Sequence, residues 1–150
     1  MLQEEHVDLW DKYFEGHWVA ILTNGVVRRD GKAVMGRGVA KECADRFPEF
    51  PEKFGNALKS LGNNVLSWSE YSMFTFPTKS DWKDPSNILI ISRSCRQLKE
   101  YLAEHPEIEK VYLPRPGCGE GGLDYESEVK PTLEKYFGAE EKVIIVHNGE

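Results

Sequence analysis

The chain has 150 residues, of which 40% are hydrophobic and 29% charged, and its formal net charge is -6. That is the size of one domain, with enough chain to bury a real core and an ordinary globular composition. The acidic balance argues against non-specific binding to nucleic acid through phosphates, but leaves room for a local basic patch.

In chain order, residues 2–14 are ambiguous: His6-Val7-Asp8-Leu9-Trp10 reads as the end of a short strand, with a helical turn over 11–14. Trp18-Val19-Ala20-Ile21-Leu22-Thr23 is nearly all apolar, as in a strand buried on both faces, and stops at the turn signal Asn24-Gly25. A polar insert follows at 26–32. Val39, Cys43 and Phe47 then mark one face of a helix, so Gly36 and Gly38 fall at its N-terminus. Pro48 and Pro51 end that helix. Phe54, Leu58 and Leu61 predict a short amphipathic helix, broken by Gly62-Asn63-Asn64. Two short strands are expected at 65–68 and 73–76, then a polar loop over 77–82. Ile88-Leu89-Ile90-Ile91-Ser92 is the next apolar run. Ser94-Cys95-Arg96-Gln97 has the form of a capping box, opening a helix to about His105. Residues 111–114 form a strand. Val129, Leu133 and Phe137 give a last helix, started near Ser127 because Pro131 fits only a first turn, with Gly138 as its C′ residue. A final strand covers 142–146. Strands and helices alternate around one hairpin-like pair, which predicts a layered α/β fold on a mixed sheet.

The stretch Leu-Pro-Arg-Pro-Gly-Cys-Gly-Glu-Gly-Gly-Leu-Asp-Tyr at 113–125 places Gly117, Gly119, Gly121 and Gly122 between a strand and a helix. Such a turn brings bare N–H groups to a ligand and suits phosphate; the alternative is a flexible surface loop. It contains a formal G-x-G-x-x-G, but a dinucleotide fingerprint opens a Rossmann half, and here only one helix and one strand remain. No Walker A loop is present. Two glycine loops before helices, both at strand C-terminal ends, could grip a diphosphate from two sides.

These residues together resemble the macro domain, an ADP-ribose-binding module. Val7-Asp8-Leu9-Trp10 is similar to the family's first motif, Ile21-Leu22-Thr23-Asn24 to its asparagine strand, Val34-Met35-Gly36-Arg37-Gly38-Val39-Ala40 to its first ligand loop, and 114–125 to its diphosphate loop. The resemblance is nearest to the branch holding DNA- and protein-ADP-ribosyl hydrolases and small phage and bacterial proteins. It implies a three-layer α/β/α fold with a mixed sheet of about six strands over 1–150. Asp8 would meet the adenine amino group, with Leu9 beside it, and Asn24 the distal ribose. Gly36, Arg37, Gly38 and Val39 would form one wall. Gly117, Cys118, Gly119, Glu120, Gly121, Gly122 and Leu123 would form the other. In hydrolases of this branch a lysine in a segment like Phe76-Pro77-Thr78-Lys79-Ser80-Asp81-Trp82 is catalytic, which makes Lys79 the candidate against the ordinary reading of a solvated loop lysine. Where some relatives carry an aspartate in the second loop, this chain has Gly121, which favours a lysine-only mechanism. No cofactor is implied.

Other candidates are weaker. His6, His17, His105 and His147 are scattered, with no HxxxH or HExxH pair, so a metal site has little support. Cys43, Cys95 and Cys118 form no CxxC pair, which argues against a disulfide scaffold and fits a reducing cytoplasm. Cys118 reads as a small loop residue facing inward, with no base to activate it. Arg28, Arg29 and Lys32 read as solvated, the alternative being contact with a polymer or macromolecular substrate. Trp10, Trp18, Trp68 and Trp82 read as core or rim aromatics, the alternative being that one of them or Tyr125 covers adenine or ribose. The N-terminus lacks a signal-peptide core, and no apolar run approaches the roughly 20 residues of a membrane span. The expectation is a cytoplasmic monomer, active in NAD metabolism, that binds ADP-ribose or an ADP-ribosylated macromolecule and hydrolyses the ADP-ribosyl bond. A reader without turnover and an NAD-linked oxidoreductase are the alternatives.

Overall fold

The computed structural model describes residues 1–147. Strands β1 (Gln3–His6), β2 (Trp18–Thr23), β3 (Leu66–Trp68), β4 (Met73–Pro77), β5 (Val111–Pro114) and β6 (Val143–His147) form one sheet in the order β1-β6-β5-β2-β4-β3. All neighbours pair parallel except β3, which runs antiparallel to β4 at the edge. This is the expected mixed six-stranded sheet, and its order differs from the 3-2-1-4-5-6 of a dinucleotide-binding Rossmann fold.

The strands alternate between two cores. Ala20, Phe74, Val111, Leu113, Val143 and Ile145 face α4 (Ile88–Glu104) and α5 (Lys130–Phe137). Val19, Ile21, Met73, Tyr112, Ile144 and Val146 face α1 (Leu9–Phe14), α2 (Gly38–Arg46) and α3 (Phe50–Leu61). Both faces being covered explains why these strands read as continuous apolar runs. The result is three layers, α/β/α. Among the described residues no helix is long and apolar enough to cross a membrane.

Several boundaries differ from expectation. The apolar run at 88–92 is the first turn of α4, capped by Asn87, whose side chain accepts from the Leu89 and Ile90 amides. Ser94 is therefore mid-helix and caps nothing; it is fully buried and its hydroxyl donates to the Pro77 carbonyl (2.7 Å). Pro51 begins α3 instead of ending α2, at a position whose amide needs no partner. Leu61 is 60% exposed, past the end of the buried stripe of Phe54 and Leu58. Gly138 is right-handed (φ -61), so its lack of a side chain serves space: a Cβ would lie 2.5 Å from the Glu134 carbonyl oxygen. Pro131 sits in the first turn of α5 as expected, but helical structure starts earlier, in a π-type turn at Tyr125–Val129 capped by Asp124.

Candidate functional site

Because β1, β2, β4, β5 and β6 run parallel, their C-terminal ends open on one edge, where ligands settle in α/β sheets. Asp8, Asn24, Lys79 and the 115–124 loop all follow those ends. A wider depression of about 560 Å³ lies at the opposite edge, beside Gln3, Lys110 and Glu141. It lies at the strand N-terminal ends, away from Asp8, Asn24, Lys79 and the glycine loop.

At the β1 end, Asp8 caps α1 and accepts from the Trp10 amide (2.8 Å). Asp8, Leu9, Trp10 and Val39 line a cavity of about 170 Å³ with Glu42, Pro114 and His147. Trp10 Nε1 donates to Glu42 Oε1 (3.0 Å), joining α1 to α2 across the cavity wall. The sequence marks Glu42 only by its position one turn after Val39 on the same helix face.

Two walls of amides run from this cavity. The first is the start of α2. Arg37 is its N-cap residue but supplies no side-chain cap, and the first turn holds no acid. A Cβ at Gly36 or Gly38 would meet nothing, so both face open space. The second is the glycine loop, closed by the Leu123 amide on the Gly117 carbonyl (2.9 Å) and the Gly122 amide on the Gly119 carbonyl (3.3 Å). Among the described residues, no acceptor meets the N–H groups of Cys118, Gly119, Glu120 or Gly121. Four successive unpaired amides form a concavity for an anion.

The four glycines divide into two jobs. A Cβ on Gly117 would meet Ile91, Leu123 and Ser86 at 2.9 to 3.0 Å, and Gly117 is left-handed (φ 78). Gly121 is also packed, whereas Gly119 and Gly122 face open space. Leu123 packs against the core on the α4/α5 side. Cys118 packs there too, and burial pushes its thiol up to about 11, so it is not a thiolate at neutral pH. Glu120 points back across the cleft, its carboxylate 3.6 Å from Arg37 Nη1.

In the centre, Asn24 is buried with its side chain on backbone: Nδ2 donates to the Val34 carbonyl (3.2 Å) and Oδ1 accepts from the Val26 amide (2.9 Å). It shapes the 26–34 segment while keeping a second N–H on Nδ2. The chain after β4 continues alongside it: the Thr78 amide donates to the Thr23 carbonyl (3.0 Å) and the Gly25 amide to the Ser80 carbonyl (2.9 Å). Lys79 is half-buried, and its Nζ donates to the Asp84 carbonyl (3.3 Å), closing a turn with Trp82 exposed at its tip. Of the other tryptophans, Trp10 is buried and Trp18 and Trp68 pack half-buried against the cores. The same segment reaches the glycine loop through the Ser86 amide on the Gly121 carbonyl (3.0 Å). Arg28 and Arg29 are exposed, and Arg28 pairs with Asp30 (2.9 Å).

No family model matches the chain. A DNA ADP-ribosyl glycohydrolase of Mycobacterium tuberculosis is 31% identical over 113 residues, which are 69% of this chain and 32% of that protein. The chain thus spans about a third of the length of the curated relatives it matches. The solved macrodomain of M. tuberculosis DarG superposes with a TM-score of 0.78 at 26% identity, covering 97% of both chains. Thermosipho africanus DarTG, solved in complex with ADP-ribose, gives 0.78 at 24% identity over 95% of this chain and 40% of its own. With 31% identity over 69% of its length and these structural likenesses, the chain belongs to the macro-domain family and resembles the macrodomain of DarG.

Proposed function

We propose that residues 1–150 act as one macro domain that binds ADP-ribose along the C-terminal edge of the sheet and hydrolyses an ADP-ribosyl bond on DNA. The observation that carries this reading is the run of unpaired amides from Cys118 to Gly121, facing the uncapped start of α2. A diphosphate between them would satisfy both sets of donors, with the α2 dipole adding to the attraction. The cavity at Asp8 is smaller than the roughly 300 Å³ of a whole-ligand pocket and suits a flat ring. Asp8 would then accept from the adenine amino group, and Asn24 would offer its second N–H to the distal ribose.

In this reading Lys79 acts at the anomeric carbon. Its neutral amine adds to that carbon as the bond to the base breaks, and the amine proton leaves with the base. The resulting ribosylamine opens to an imine, which water cleaves to free ADP-ribose and regenerate the lysine. An alternative role for the same group is to protonate the leaving atom as an ammonium, with water attacking directly. Trapping with borohydride distinguishes the two, because only the imine is reduced onto the protein.

The experiment is calorimetry with ADP-ribose and NAD, then release of ADP-ribose from ADP-ribosylated DNA by wild type and Lys79→Ala. No binding of ADP-ribose at millimolar concentration would overturn the site. Binding without release by the wild type would favour a non-catalytic reader. Release that survives Lys79→Ala would remove the lysine from the mechanism. The three free thiols support action in a reducing, cytoplasmic setting. Release of ADP-ribose for re-use would place the protein in NAD metabolism, and we read it as a monomer.

A further inference from the structure

The lysine chemistry requires Nζ to be held against a carbon it must reach within a few tenths of an ångström. Lys79 lies outside regular structure, two residues after β4 ends at Pro77. Its backbone is fixed from another element: Asn63, between α3 and β3, donates from Nδ2 to the Lys79 carbonyl (3.2 Å). Asn63 is itself held from α4, where Arg93 Nη2 donates to its backbone carbonyl (2.5 Å). The Asn63 side chain also lies against Gly25, where an added Cβ would stand 2.9 Å from Asn63 Cγ. Gly25 in turn donates its amide to the Ser80 carbonyl (2.9 Å). Asn63 therefore fills the space between the Asn24-Gly25 end of β2 and the Lys79-Ser80 turn.

Packing alone does not explain an asparagine here. Its Oδ1 is buried and, among the described residues, meets no donor, and the Nε of Arg93 is likewise unpaired. Asn63 as a whole is half-buried, but its side-chain carbonyl oxygen is buried without a donor, which is unfavourable. What the amide provides is one directed bond to the Lys79 carbonyl.

We infer that Asn63 is the positioning residue for Lys79, fixing its turn against the ribose-facing end of β2; this rests on the lysine reading given above. The test compares wild type, Asn63→Asp, Lys79→Ala and the double variant. It reads kcat and KM on ADP-ribosylated DNA, the Kd for ADP-ribose, and the melting temperature. Asn63→Asp keeps the shape but sets an acceptor against the Lys79 carbonyl. The expected result is a fall in kcat of about tenfold or more, with KM and the ADP-ribose Kd within about twofold. The double variant should be no slower than Lys79→Ala, because residues acting as a unit are not additive. If Asn63→Asp fails to fold, Asn63→Ser removes the same donor without adding charge. Wild-type kcat in a folded Asn63 variant, beside an inactive Lys79→Ala, would overturn this inference alone. So would an equal further loss in the Lys79→Ala background, which would mark a structural role only. Undiminished release by Lys79→Ala, or none by the wild type, would overturn the lysine reading and this inference with it.

Discussion

Gly121 stands against Ser86 with no room between them: a Cβ on Gly121 would lie 2.1 Å from the Ser86 hydroxyl oxygen and 2.6 Å from the Gly117 carbonyl oxygen. The Gly121 carbonyl meanwhile accepts from the Ser86 amide. The position where some relatives of this branch carry an acid is therefore closed to any side chain in this loop conformation. Gly121→Asp should lose about 1–3 kcal/mol of stability, the usual cost of overpacking, and should not raise turnover. Adding Ser86→Gly should recover only part of the loss, since the Gly117 carbonyl remains in the way. Urea unfolding of the three variants checks this. A stable Gly121→Asp with faster release would mean that the loop can host a catalytic acid.

Gly119 is the contrasting case. A Cβ there would meet nothing within 4 Å, and its φ is not in the left-handed region. Gly119→Val should leave the melting temperature unchanged and fill the space where the diphosphate would lie. Affinity for ADP-ribose should drop about tenfold or more, equivalent to about 1.4 kcal/mol. Calorimetry decides: equal affinity in a folded variant would place the diphosphate elsewhere.

Glu120 and Arg37 join the two walls at their tips, 3.6 Å apart and both largely exposed. An exposed pair of this kind contributes little to stability, so Glu120→Gln should not shift the melting temperature measurably. The carboxylate does, however, put negative charge beside a site proposed for a diphosphate, and it occupies the guanidinium that could meet the ligand. Glu120→Gln should therefore bind ADP-ribose about two- to fivefold more tightly at low salt, with the gain vanishing near 1 M salt as screening removes it. Weaker binding would instead show that Glu120 contacts the ligand directly.

The sheet and the two glycine loops were legible because each rests on local pattern. Runs such as Trp18–Thr23 need both faces covered, and glycines between a strand and a helix need bare backbone. Local spacing misleads where long-range packing overrides it. Ser94 has the spacing of a capping residue, yet its hydroxyl serves the Pro77 carbonyl on a strand far away in sequence. The apolar run at 88–92 is assigned by a local contact instead: Asn87 accepts from the Leu89 and Ile90 amides and so opens α4 there. The same limit hid the division of labour among the glycines. Spacing alone does not reveal that Gly117 and Gly121 face Ser86 while Gly119 and Gly122 face outward. Asn63 reads in sequence only as part of the Gly62-Asn63-Asn64 break after α3, since its partners Gly25, Lys79 and Arg93 meet only in three dimensions.

Glu4 on β1 anchors the far end of the glycine loop. Its carboxylate accepts from the Tyr125 hydroxyl, pairs with Lys130 Nζ (3.1 Å) and lies 3.9 Å from Arg115, whose guanidinium stacks 3.9 Å over the Tyr125 ring. Burial alone would raise the Glu4 pKa, but the Tyr125 hydroxyl and Lys130 together outweigh it and hold the carboxyl below its ordinary 4.5. A carboxylate depressed on folding contributes stability that is complete above the unfolded value. That stability fades as pH falls through the folded value, because the unfolded chain then binds the proton more readily. Glu4→Gln should accordingly be less stable than wild type at neutral pH, and the two should converge as pH drops below about 4.5. Lys130, raised above 10.5 chiefly by its bond to Glu4, predicts a second convergence at strongly alkaline pH. Urea midpoints of both proteins between about pH 3 and pH 8 test the acid limb. A gap that stays constant across that range would mean the Glu4 charge contributes nothing, and that the Tyr125 hydroxyl holds the loop base to β1 through a neutral bond.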